Sequence, residues 1–143
     1  MDAEPFFLSE ETILAFHAEQ IRLFGGLDGL GDPAGFSSAV ASPQNVYLYE
    51  PDATLFDLAA AYAYHISMSQ AFVDGNKRTA LQAAIAFLKV NGYRVQSDAL
   101  SLFDGMLKLH LGQQTKEDFA VHLRNCSVRE NGFVAFLRGL VGR

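Results

Sequence analysis

Apolar residues recur along this chain at helical spacing, and polar or glycine-rich breaks separate the runs. Ile13, Leu14, Phe16, Ile21 and Phe24 form a stripe on a first predicted helix, which starts at Ser9 with Glu10 and Glu11 behind it and stops at Gly25-Gly26. A second run, Leu55, Leu58, Ala59, Tyr62 and Ile66, follows Thr54 and Asp57, a helix start with an acid at its third position. Thr79 to Val90 is apolar almost all round, which predicts a helix in the core. Ser97 then caps a stripe of Leu100, Leu102, Phe103, Met106 and Leu107, and Thr115 one of Phe119, Ala120 and Leu123. The stretch from Gly25 to Pro51 breaks this rhythm; it predicts a short helix from Phe36 to Ala41, with Val46-Tyr47-Leu48-Tyr49 either a short edge strand or aromatics capping the core. From Asn131 to Arg143 the apolar spacing outlines a last amphipathic helix, too short to fold alone, that must dock on the body or on a partner.

The elements amount to an all-α fold, and 143 residues suit a single domain with a real core. A net charge of −5 argues against a dedicated DNA or RNA binder. Cys126 is alone, so no internal disulfide forms and a reducing compartment is expected. Met1-Asp2-Ala3-Glu4-Pro5 lacks the positive start of a secretion signal, and no apolar run approaches the roughly 20 residues of a membrane span. The expectation is a soluble, cytoplasmic protein without membrane partners.

The chemistry concentrates in the short polar loop between two strongly helical segments, Ser69 to Ala80. Gly75 permits a positive φ, and Asn76, Lys77 and Arg78 open a helix whose first N–H groups lack internal partners, a start that attracts anions. Asp74 offers a hard oxygen for a divalent metal against the same phosphate. The plainer reading of Asp-Gly-Asn-Lys-Arg is a turn followed by a solvated helix start. The spacing of a Walker-type phosphate loop is absent. His17, His65, His110 and His122 stand singly with no metal-ligand spacing, so each reads as a surface, capping or packing residue.

Phe72-Val73-Asp74-Gly75-Asn76-Lys77-Arg78-Thr79-Ala80 resembles the Fic/Doc signature, His-Pro-Phe-x-Asp/Glu-Gly-Asn-Lys/Gly-Arg, in its Doc-like form. The resemblance extends to Gly25-Gly26-Leu27, Asp32-Pro33 and Ser42-Pro43-Gln44 upstream and to Phe87-Leu88 and Asn91-Gly92-Tyr93 downstream. It covers a core of about residues 8–123 and leaves a C-terminal helical extension of about 124–143. It implies a helical bundle with a small β flap, placed at Val46 to Tyr49, that pairs with a target protein as an added strand. It also implies transfer of phosphate or a nucleotide monophosphate from a Mg2+-bound nucleotide such as ATP to a protein hydroxyl. By position, Asp74 would hold the metal, Gly75 and Asn76 would shape and line the anion loop, Lys77 and Arg78 would stabilise phosphate charge, and Phe72 would anchor the loop. Leu81 stands where many nucleotidyl-transferring members carry a second Arg, which leans toward the Doc branch and its kinases.

One position departs. Where the signature has its catalytic His, the chain has Gln70, with Ala71 in place of Pro, and His65 is too far around the helix to substitute. A Gln amide has no useful basicity near neutral pH, so the resemblance implies a surviving phosphate site and a weakened chemical step, or else a pseudoenzyme that binds without catalysis. The implied partners are an antitoxin and a translation elongation factor as target. Cys126 to Glu130-Asn131 has the spacing of an autoinhibitory helix with the wrong first residue; Glu130 reaching Arg78 would mean internal regulation, and otherwise an antitoxin acts in trans.

Overall fold

The computed structural model describes residues 4–130. The predicted helix from Asn131 to Arg143 lies outside them. The described chain forms six helices, α1 (Glu10–Phe24), α2 (Pro33–Tyr49), α3 (Leu55–Ser69), α4 (Asn76–Val90), α5 (Ala99–His110) and α6 (Lys116–Asn125), and two strands, β1 (Tyr93–Val95) and β2 (Ser127–Arg129). The fold is the expected helical bundle with a small sheet. No described helix is long and apolar enough to cross a membrane.

The helix starts follow from their caps. Ser9 accepts the Thr12 N–H, and Thr54 and Thr115 each form a reciprocal capping box, with Asp57 and Asp118 respectively. The α5 cap is Asp98 rather than Ser97, because its carboxylate accepts the Ser101 N–H at 2.7 Å.

Helices α3 and α4 form the centre. Ala59, Ala60, Ala63, Ala80, Ala83 and Ala84 are fully buried, and these small side chains let the two backbones approach closely. Tyr62 and Phe87 fill the space between them, 5.1 Å apart at the ring centroids. The Tyr62 hydroxyl accepts the Leu8 N–H at 2.9 Å, which pins the N-terminal segment to the core.

Two expectations are corrected. Val46 to Tyr49 is the last turn of α2, not a strand, and α2 runs 17 residues rather than the six of Phe36 to Ala41. Phe36, Ala39, Val40 and Pro43 are buried at helical spacing, and this apolar stripe holds the helix together through the N–H that Pro43 lacks. The sheet lies elsewhere: β1 and β2 pair antiparallel, with Tyr93 opposite Arg129 and Val95 opposite Ser127. The segment after residue 124 is therefore not wholly helical.

Candidate functional site

Five of the six described helices begin on a side chain that accepts a first-turn N–H: Ser9, Asp32, Thr54, Asp98 and Thr115. Helix α4 begins on Gly75, at φ 82° and ψ 15°, with no side-chain cap and no acid in its first turn. Its leading amides therefore keep their donors, and the positive end of its macrodipole stays unneutralised. Lys77 and Arg78 add charge of the same sign. Among the described residues neither takes part in an ion pair.

These groups face one space. Phe24, Gly25, Gly26, Asp74, Gly75, Asn76, Lys77, Arg78 and Phe103 line a cavity of about 390 Å³, large enough for a small organic phosphate. The Arg78 guanidinium sits 4.9 Å from the centre of the Phe24 ring. A cation–π contact at such an exposed site contributes about 0.5–1 kcal/mol, far less than a charge-assisted bond to phosphate, so the guanidinium is free to turn toward an anion.

The loop is held from both flanks. The Asn76 side-chain oxygen accepts the Phe72 N–H at 3.0 Å and its amide donates to the Phe72 carbonyl at 2.9 Å, so one side chain closes the turn from within. Outside, Leu30 and Phe72 form an antiparallel bridge, with Gly31 N–H donating to the Ala71 carbonyl and Val73 N–H to the Gly29 carbonyl. The Asp74 carboxylate accepts the Leu27 N–H at 2.7 Å, which orients it at the cavity wall. Gly26 is required there: at its φ of 111° a Cβ would stand 3.2 Å from the Asp74 Cβ.

The predicted site residues from Asp74 to Arg78 thus line one cavity, although both polar atoms of the Asn76 side chain are spent on Phe72. Phe72 is 4 % exposed, edge-on to Phe36. Gln70 is the α3 C-cap, exposed, at φ 47° and ψ 37°, and is not among the cavity-lining residues. Glu130 bonds Arg94 at 2.7 Å, whereas Arg78 lies over Phe24. His65 is half-buried beside the Tyr64 ring, and desolvation, with Lys116 nearby, pushes its pKa below the usual 6.5.

Sequence reasoning missed three contributors. Phe24 and Phe103 looked like core stripe residues, yet Phe24 is 60 % exposed at the cavity edge and Phe103 faces the same space from α5. His17 is buried, as a satisfied core histidine would be, but the motif loop is what satisfies it. Its Nε2 lies 2.8 Å from the Asp74 carbonyl, and its ring stacks on Phe72 at 3.7 Å. No group of three or more His, Cys, Asp or Glu among the described residues is arranged to hold a metal. A cation here would take a single carboxylate, Asp74, and fill its remaining positions from water and ligand phosphate, the usual manner for Mg2+.

Known proteins align with this same region. A family model described as the Fic/DOC family matches residues 7–88. The chain is 36% identical to Protein kinase doc of Escherichia phage P1 over 88 residues, which is 62% of this chain and 70% of that protein. It is 42% identical to Toxin Doc of Mycolicibacterium smegmatis over 76 residues, 52% of this chain and 58% of that relative. Since the family match takes in more than half of the chain and every cavity residue except Phe103, the chain belongs to the Fic/DOC family.

Proposed function

We propose that this chain is a Doc-like toxin domain that seats a Mg2+-bound nucleotide, ATP or a related one, between Asp74 and Arg78. Its chemistry is the transfer of phosphate or a nucleotide monophosphate to a hydroxyl of a target protein. The observation that carries this is the convergence on one cavity of an uncapped helix start, two cations that form no ion pair among the described residues, and an oriented carboxylate. Lys77, Arg78 and the leading α4 amides stabilise charge on the phosphate oxygens as the bond to the leaving group breaks. Bound Mg2+ would be held by Asp74 and would supply positive charge against the phosphate. The attacking hydroxyl forms the new O–P bond and must give up its proton; Gln70 cannot accept it, which costs about 10²–10⁴-fold in rate.

Relatives named Toxin Doc and Protein kinase doc support a toxin–antitoxin module, with an antitoxin as partner. A translation elongation factor is the target that the Doc resemblance implies. Gln70, exposed and outside the cavity lining, supports a second reading in which the chain binds nucleotide, antitoxin or target without catalysis.

The test uses labelled ATP with cell lysate. Label transferred by Gln70→His and not by the native chain supports a disabled transferase. Nucleotide binding without label from either protein supports the binding module. Nucleotide affinity unchanged in Lys77→Ala and Arg78→Ala removes the site altogether.

A further inference from the structure

We infer that His17, carried on α1 57 residues upstream of Asp74, is a positioning residue for the phosphate loop, acting through an Nε2–H that fixes the Asp74 backbone. The inference rests on the nucleotide-site reading above and assigns to α1 a part in it.

His17 is 3 % exposed and contacts the loop at two residues, Phe72 and Asp74. Its ring lies parallel to Phe72, with 7° between the planes and 3.7 Å between centroids. Nε2 is 2.8 Å from the Asp74 carbonyl oxygen. The edge that carries Nε2 also backs onto Gly75, where an added Cβ would stand 3.5–3.6 Å from the imidazole Cδ2 and Nε2.

The partner fixes the chemistry. A backbone carbonyl only accepts, so Nε2 carries the hydrogen and donates it. The other nitrogen, Nδ1, lies 3.7 Å from the exposed Asp28 carboxylate, beyond a good hydrogen bond. The only polar atom that the ring holds at hydrogen-bond distance among the described residues is therefore the carbonyl that immediately precedes Gly75.

That carbonyl is a sensitive point. The Asp74–Gly75 peptide joins the proposed metal-holding carboxylate to the residue whose left-handed φ starts α4. A net change in the torsions that flank this peptide shifts the Asp74 side chain relative to the leading amides. The Asp74 carboxylate is fixed on its far side by Leu27 N–H, on the loop that leaves α1. His17 and Leu27 thus hold Asp74 from two directions, one at the backbone and one at the side chain.

A packing role alone requires an aromatic ring of this size; a positioning role requires a donor at the Nε2 point. The full chain is therefore compared as His17→Phe, which keeps the stacked ring and loses the donor, and His17→Gln, whose amide nitrogen reaches the same point. The readouts are MgATP affinity by calorimetry and hydrogen exchange at the Leu27 amide, which needs no ligand. His17→Phe is expected to weaken MgATP by about tenfold, the loss of one buried hydrogen bond and some loop order, and to speed Leu27 exchange by a similar factor. His17→Gln is expected to stay within about twofold of the native chain on both. Native affinity and exchange in His17→Phe would overturn the assignment, as would equal losses in both variants, which point to the ring alone. If His17→Phe does not fold, exchange in His17→Gln decides: protection at Leu27 upholds the donor and its loss refutes it. Failure of the site itself looks different, since Arg78→Ala would then bind MgATP like the native chain while the exchange pattern of the His17 variants stood.

Discussion

Asn76→Ala separates a clasp from a ligand. Both polar atoms of this side chain are hydrogen-bonded to the Phe72 peptide, at 3.0 and 2.9 Å, and Phe72 is almost wholly buried. The neighbouring bridge takes the Ala71 carbonyl and the Val73 N–H, so it offers nothing to the Phe72 donor and acceptor. Truncation removes two neutral hydrogen bonds and leaves the Phe72 N–H and carbonyl without these partners, at about 1 kcal/mol for each bond or roughly 2 kcal/mol in all. For a chain of this size that lowers Tm by about 6–8 °C. MgATP binding should fall with it, because the turn that presents Lys77 and Arg78 loses its inner tie. Lys77→Ala is the control: a half-exposed side chain without an ion pair among the described residues should leave Tm within about 1 °C while weakening MgATP. Thermal unfolding and calorimetry on the three proteins give the answer. An Asn76→Ala protein that melts within about 2 °C of native would refute the clasp.

Other perturbations address separate features. Gln70 holds a left-handed conformation that costs an L-residue about 1 kcal/mol, so Gln70→Gly should raise Tm by about 3 °C; a fall in Tm would show that its side chain has an unrecognised task. The Thr79 hydroxyl is buried and bonds no described residue, so Thr79→Val should be neutral or stabilising by denaturant titration, and a loss above about 1 kcal/mol would reveal a hidden partner. Burial pushes the Tyr62 phenol from 10.0 up to about 12. The unfolded chain releases that proton first, so the associated stability is whole below pH 10 and is lost as pH rises toward 12; Tyr62→Phe should flatten the decline in that window, and an unchanged slope counts against the assignment. For His65, whose pKa is lowered, the unfolded state binds the proton first, and stability falls as pH drops below 6.5; in His65→Gln that part of the acid limb should disappear from chemical denaturation curves.

How far the sequence reached depended on the range of each interaction. Ser9, Thr54 with Asp57 and Thr115 with Asp118 act within one turn, and their helices start where the spacing predicts. Ser97 was displaced by Asp98 because adjacent residues both had capping chemistry and only the geometry of the turn chose. Helix α2 outruns its local signal because Pro43 weakens helix preference, whereas the burial of Phe36, Ala39 and Val40 in the core restores it. The motif loop was legible as a loop, since Gly75 and the two cations are consecutive. Its supports were not. Leu27 is 47 residues from Asp74 and His17 is 57, and no local pattern marks such partners. The strands β1 and β2, three residues each and joined across two helices, were invisible for the same reason.

The bridge between Leu30 and Phe72 has a consequence for the energetics of recognition. A peptide stapled along its outer edge and clasped from inside has already surrendered its torsional freedom during folding. On the proposed nucleotide reading, an incoming polyphosphate would meet donors that are fixed in advance and would be spared most of the ordering cost that a slack glycine-rich turn would impose. Calorimetry should register this as a small conformational contribution to the binding entropy, with the favourable part arising from water and counterions released by the anion.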